Sequence, residues 1–198
     1  MSVLISVSVS GILQHPLQHW MLQFARNSAK ATVTAERKQA PSAKAPFRVL
    51  FVCTGNICRS PTAEGVLRHL AKETGIELHV ESAGTHDYHV GHPPDERALH
   101  HAKGRGYDLS AQRARQVRKR DFEQFDLIVA LDRGHLEILQ DHCPPQHRKK
   151  LRMLLNGHDV PDPYYGGPEG FEQVLDMVEA ACLGLLSELR HPIVKPTS

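Results

Sequence analysis

The residues best suited to chemistry lie together in the run Cys53-Thr54-Gly55-Asn56-Ile57-Cys58-Arg59-Ser60-Pro61. The run follows the apolar stretch Phe47 to Val52 and precedes a segment with helical spacing. The order is therefore strand, tight loop, helix, with Pro61 near the first helical position. A loop entering a helix N-terminus aims several backbone N–H groups into one concavity and adds the positive end of the helix dipole, which makes a cradle for an anion. Thr54, Ile57 and Cys58 supply backbone to this cradle, Gly55 permits close backbone approach, and Asn56 tolerates a left-handed conformation. Arg59 carries a planar fork that can grip two phosphate oxygens. The same positive field favours thiolate over thiol at Cys53, and Ser60 is placed to donate a hydroxyl hydrogen bond to that sulfur. A thiolate beneath a bound phosphate is a nucleophile aimed at phosphorus. Its attack would give a phosphocysteine, with the cradle and Arg59 stabilising the transferring group. A cysteine followed six residues later by an arginine is common by chance, so the pair alone would mean little. The meaning comes from its setting: bounded by a strand, bearing Gly and Asn, and capped by Pro. The glycines and GK[ST] ending of a Walker loop are missing, as is a dinucleotide-binding fingerprint.

A phosphocysteine route also needs an acid for the leaving oxygen and later a base for water. Asp162-Pro163-Tyr164-Tyr165-Gly166-Gly167 offers one. Pro161 and Pro163 stiffen the backbone around Asp162, while Tyr164 and Tyr165 could wall a slot for an aromatic group. Taken without the cysteine loop, this stretch would read as an ordinary Pro-Gly turn with exposed tyrosines.

The elements that must position these groups alternate. Strands are predicted over Phe47 to Val52, Leu78 to Ala83, Asp126 to Leu131 and, more weakly, Leu151 to Leu155. Helices are predicted over Pro61 to Glu73, Asp95 to Lys103, Asp132 to Gln140 and Phe171 to Leu189. The last has Val174, Met177, Val178, Ala181, Leu185 and Leu189 on its inner face. This rhythm implies an α/β three-layer sandwich: a four-stranded parallel sheet with helices on both faces. Ligands in such sheets bind outside the carboxyl ends of the strands, which is where the loop after the first strand emerges and where topology should bring Asp162.

The chain has 198 residues, room for one ordinary domain and tails. Residues 1–46 stand apart as a basic, unstructured extension. Five cations against Glu36 give this stretch a charge of +4, leaving −2 for the rest of a chain whose total is +2. No charge precedes Arg26, which is the wrong order for a secretory signal, although an acid-poor start of this kind resembles an organelle transit peptide. The domain is expected over residues 47–190, with a loose tail over 191–198. No stretch is long and apolar enough to span a membrane, and no aromatic-interleaved basic patch points to nucleic acid. The expected location is cytoplasmic, with Cys53, Cys58, Cys143 and Cys182 as free thiols and Cys182 in the core. The 14 histidines are scattered without zinc-ligand spacing and are expected on the surface or in loops.

The motifs together resemble the low-molecular-weight protein tyrosine phosphatases over residues 47 to about 190. They are VCTGNICRSP with the following TAEG, SAGT at Ser82 to Thr85, the DYHVGHPPDERA stretch, ARQV at Ala114 to Val117, and DPYYG. The resemblance implies Cys53 as nucleophile, Arg59 as phosphate-binding residue and Asp162 as proton donor. Asn56 and Ser60 become loop-shaping and thiolate-stabilising groups, with Ser82 and Asp132 as supports. It places Tyr88 with Tyr164 on the substrate cleft, and gives Cys58 the position of a second loop cysteine able to form a reversible disulfide with Cys53. It implies no metal or organic cofactor, phosphotyrosine-containing proteins as substrates, a cognate tyrosine kinase as a conceivable partner, and a monomer or weak dimer. Arsenate reductases of related fold share a cysteine loop, but they use further redox cysteines and lack the Asp-Pro loop. Protein arginine phosphatases carry Thr where this chain has Ile57. A non-catalytic phosphate-binding module would use the same cradle and turn nothing over.

Overall fold

The computed structural model describes residues 45–190. The expectations for residues 1–44 and for the tail 191–198 fall outside these residues. The elements run β1 (Phe47–Cys53), α1 (Arg59–Thr74), β2 (Leu78–Gly84), α2 (Glu96–Gly104), α3 (Asp121–Gln124), β3 (Leu127–Ala130), α4 (Arg133–His142), a 3-10 helix (Pro145–Lys150), β4 (Leu151–Met153) and α5 (Pro168–Arg190). The four strands form one sheet in the order β2-β1-β3-β4, every neighbouring pair parallel.

Both faces of the sheet are covered, and the period of β1 explains how. Val49, Phe51 and Cys53 point into a cluster with α1 and α5, where Val66, Leu67, Val174 and Val178 are buried. Leu50 and Val52 point the other way, onto Phe122 of α3, Phe125, and Leu139 of α4. Four successive residues of β1, Val49 to Val52, are completely buried. That is why this strand reads as a continuous apolar run. Each large side chain so buried contributes about 1.5–3 kcal/mol, which makes β1 a rigid base for the loop that leaves it.

The chain reverses its direction of growth across the sheet at β1. β2 is laid on one side of β1, and β3 then β4 on the other. The crevice at a switch point of this kind opens beyond the carboxyl end of β1, at Cys53.

The differences from the sequence expectations are mostly at ends. α1 begins at Arg59, two residues early, with Cys58 as N-cap and no side-chain cap. Pro61 still falls in the first turn, where its missing N–H breaks no bond. Asp95 and Asp132, expected inside their helices, are the N-caps of α2 and α4, each accepting from a backbone N–H two or three residues on. β4 stops at Met153, and Leu155 forms an isolated bridge with His158. In α5 the buried stripe also includes Leu175, Cys182 and Leu186, while Met177, Ala181 and Leu189 are only partly covered. The short helix α3 and the 3-10 turn have no counterpart in the sequence reading. Among the described residues no helix is long and apolar enough to cross a membrane.

Candidate active site

The loop from Cys53 to Ser60 is held from outside by its own carbonyls. Cys53 O accepts from the Thr85 N–H at 2.8 Å, Thr54 O from His86 N–H at 3.0 Å, and Ile57 O from Asp95 N–H at 2.8 Å. In a trans peptide the N–H points opposite to the carbonyl. The N–H groups of Thr54, Gly55 and Cys58 therefore turn away from these partners, towards the concavity. Asn56 takes the left-handed conformation expected of it, with φ of 56°.

The Asn56 side chain ties the loop to the elements behind it. Its Oδ1 accepts from the Arg115 N–H at 2.9 Å. Its two amide hydrogens go to Ser60 Oγ at 2.9 Å and Ser82 Oγ at 2.8 Å. Ser82 donates in turn to Glu64 Oε2 at 2.6 Å, and Glu64 is ion-paired with Arg68. Asn56 takes one lone pair of Ser60 Oγ. The Ser60 hydrogen is within reach of Cys53 Sγ at 3.0 Å and of Ala83 O at 3.3 Å, and a thiolate at Cys53, which can only accept, would draw it to the sulfur. Cys53, Asn56 and Ser60 are all buried.

Arg59, the first residue of α1, is only 4% exposed. Nη1 donates to Asp132 Oδ2 at 2.8 Å and to Val160 O at 3.3 Å. Nη2 donates to Asp162 Oδ2 at 2.9 Å and lies 3.3 Å from Thr54 Oγ1. Asp132 accepts with its other oxygen from the His135 N–H at 2.8 Å, and His135 Nε2 lies 2.8 Å from Thr54 Oγ1. One histidine thus departs from the expected surface or loop position: His135 is buried. It is held between an N-cap carboxylate and a cradle hydroxyl.

Burial works to raise the Asp132 carboxyl. The close approach of His135 Nδ1, 2.9 Å from Oδ1, the hydrogen bond from the His135 N–H, and the charges of His135 and Arg59 outweigh it and hold the group at about 2, against an ordinary 3.8. The folded chain therefore favours the ionised form, a stabilisation fully present above about pH 4 and lost as pH falls through about 2. Asp132→Asn is expected to cost about 1–2 kcal/mol near neutral pH, with the deficit shrinking between about pH 4 and 2. Urea melts at stepped pH test this, and a deficit that stays constant with pH would show that charge is not the cause.

Ten of the residues singled out from sequence line one cleft: Cys53, Thr54, Gly55, Ile57, Cys58, Arg59, Tyr88, Asp162, Tyr164 and Tyr165. Asn56 and Ser60 stand behind it. Cys58 is a free buried thiol, pushed up by its burial and by the nearby Asp95, Cys53 and Asp162. Tyr88 and Tyr165 are 67% and 92% exposed and form the rim. His89, which the sequence reading passed over, also lines the cleft, and a Cβ on Gly55 would meet its ring at 2.7 Å. Glu64 was likewise missed, although it lies one turn after Ser60 on the same helix face. The role of Gly84 is steric: a Cβ there would stand 2.6 Å from Thr54 O and 2.9 Å from His86 O. Both are backbone atoms of the cradle and its outer support.

A family model described as low molecular weight phosphotyrosine protein phosphatase matches residues 48–195. The low molecular weight protein-tyrosine-phosphatase of Streptomyces coelicolor is 44% identical over 158 residues, 74% of this chain and 96% of the relative. Among solved structures, the protein tyrosine phosphatase of Entamoeba histolytica with Hepes in its active site superposes with a TM-score of 0.71 at 39% identity, covering 73% of this chain and 97% of that one. Vibrio vulnificus Wzb in complex with benzylphosphonate gives 0.66 at 31% identity, covering 72% and 98%.

Proposed function

The chain belongs to the low-molecular-weight phosphotyrosine protein phosphatases, which are phosphoric monoester hydrolases, and from that premise we propose that it hydrolyses phosphotyrosine on proteins through a phosphocysteine intermediate. The observation that carries the reading is the convergence of Cys53, Arg59 and Asp162 on one cleft, with Ser60 Oγ 3.0 Å from the sulfur.

The phosphoryl group sits in the cradle. The Arg59 Nε, which has no protein partner among the described residues, and Nη2 form the fork presented to its oxygens. Those oxygens take over the donor now shared with Asp162, freeing that carboxyl to carry a proton. The Cys53 thiolate attacks phosphorus, and an S–P bond forms as the P–O bond to tyrosine breaks. The electron pair leaves on the phenolic oxygen, which takes the proton of Asp162. In the second half the Asp162 carboxylate takes a proton from water as the water oxygen attacks phosphorus. The S–P bond breaks, the thiolate returns, and inorganic phosphate leaves. The chemistry needs no metal or organic cofactor, because the N–H groups and Arg59 meet the developing charge.

Ile57 beside Tyr88 and Tyr164 on the cleft supports an aromatic ring as the leaving group rather than a guanidino group. The benzylphosphonate bound by Vibrio vulnificus Wzb is of that shape. A cytoplasmic location is part of the reading, and the four free thiols suit a reducing compartment.

The test is hydrolysis of para-nitrophenyl phosphate from about pH 5 to 8 without added metal, beside a phosphotyrosyl and a phosphoarginyl peptide. Asp162→Asn is expected to lower the rate about a hundredfold. Folded wild type that turns over no aryl phosphate under reducing conditions would overturn the reading.

A further inference from the structure

Arg97 takes no part in the steps above, yet it touches the loop that bears Asp162 and, through Asp95, is tied to the cysteine loop. Asp95 grips its guanidinium with two bonds, Nε to Oδ1 at 3.0 Å and Nη2 to Oδ2 at 2.9 Å. The remaining nitrogen, Nη1, reaches across to the loop that bears Asp162, donating to Tyr164 O at 3.1 Å and lying 3.5 Å from Gly166 O. The guanidinium also lies over two rings, Phe171 at 4.7 Å and Tyr164 at 5.6 Å. Asp95 is anchored on its far side. Its backbone N–H donates to Ile57 O in the cysteine loop at 2.8 Å, and its Oδ1 accepts from Arg97 N–H at 2.9 Å to cap α2.

A continuous bracket thus runs from Ile57 through Asp95 and Arg97 to Tyr164. The Asp162 carboxylate itself leans on this end of the bracket, since its Oδ1 accepts from the Tyr164 N–H at 3.2 Å. Among the described residues the other polar links between the two loops both come from Arg59, to Val160 O at 3.3 Å and to Asp162, and the phosphoryl group of a substrate competes for the link to Asp162. The Asp95–Arg97 bracket does not use Arg59 and does not depend on that link. Only arginine can make the paired bonds to Asp95 and still present a third donor to the Tyr164 carbonyl.

We propose that Arg97 is a positioning residue that holds the acid loop in register with the cysteine loop, so that the Asp162 carboxyl meets the leaving oxygen. This rests on the reading of Asp162 as the general acid. Losing Arg97 should then matter in proportion to how much the leaving group needs a proton. A phenolate needs it, whereas a dinitrophenolate departs unaided.

The experiment compares kcat/KM for phenyl phosphate and 2,4-dinitrophenyl phosphate in wild type, Arg97→Met, Arg97→Lys and Asp162→Asn. The ratio kcat/KM reports the first chemical half, in which the leaving oxygen is protonated. Arg97→Met is expected to lose about tenfold on phenyl phosphate and no more than about twofold on the dinitrophenyl ester. Arg97→Lys should fall between it and wild type, and inhibition by inorganic phosphate should stay within about twofold of wild type in both. Equal losses on the two esters with weakened phosphate inhibition would overturn the proposal, since Arg97 would then merely support the fold. Equal rates in wild type and the variants would also overturn it. If Arg97→Met does not fold, Arg97→Lys and Arg97→Gln carry the same comparison. An Asp162→Asn variant indifferent to the leaving group would sink the acid assignment itself and this inference with it. Selectivity in Asp162→Asn but not at Arg97 would sink only the inference.

Discussion

Cys53→Ser is expected to lower hydrolysis of para-nitrophenyl phosphate by at least about 10⁴-fold while leaving phosphate binding in place. The substitution changes one atom at a buried position whose polar side-chain neighbour is Ser60 Oγ, 3.0 Å away. That neighbour stabilises a thiolate by donating its hydrogen, while one of its two lone pairs accepts from Asn56 Nδ2. An alcohol is too weak a base to take the proton of a serine hydroxyl, and among the described residues no imidazole or carboxylate is hydrogen-bonded to the Cys53 sulfur to do so. A serine there would remain a neutral alcohol, a far poorer nucleophile than the thiolate it replaces. The cradle N–H groups and Arg59 are untouched, so inorganic phosphate should still raise the thermal midpoint by mass action. Turnover and the phosphate-dependent melting shift are therefore measured on the same sample. Residual activity above about a hundredth of wild type would rule out the covalent route. Joint loss of activity and of the phosphate-dependent shift would point to damage to the loop itself.

What the sequence made legible here were features with a local physical signature. β1 is buried on both faces, so it reads as an unbroken apolar run. The cysteine loop is read through residues whose backbone demands are written in their identity, such as Asn56 with its positive φ. The proline-flanked Asp162 is legible for the same reason. What escaped was set by tertiary contact. Glu64 is a charged residue on a helix, ordinarily a solvated position, and nothing local says that it is buried and accepts from a serine on the next strand. His135 looks like any histidine in a polar helix until α4 is docked against the cradle. Gly84 ends a strand without a turn signature, and its reason is the approach of Thr54 O from another element. The short helix α3 is four residues long, too brief for any period to appear.

Arg59→Lys is expected to lower kcat/KM for aryl phosphates about a thousandfold while weakening inorganic phosphate binding only about tenfold. The guanidinium is buried and serves several acceptors at once: Asp132 and Val160 O through Nη1, Asp162 and the Thr54 hydroxyl through Nη2. This leaves a planar edge of Nε and Nη2 for two phosphoryl oxygens whose charge and spacing change as the P–O bond lengthens. A lysine ammonium is a point charge on a flexible stem. It can answer Asp132 or the phosphoryl group, but it cannot hold the first while matching two oxygens of the second. Ground-state binding, which the cradle N–H groups also provide, should suffer less than the transition state. Arg59→Ala is the poorer test, because it leaves the mostly buried Asp132 carboxylate without its cation, and a charge stranded in that way destabilises by roughly 3–5 kcal/mol. With lysine, the charge is kept and the fork alone is removed. Near-wild-type turnover in a folded Arg59→Lys protein would mean that charge alone is enough, and the planar grip would no longer explain why arginine stands at the first turn of α1.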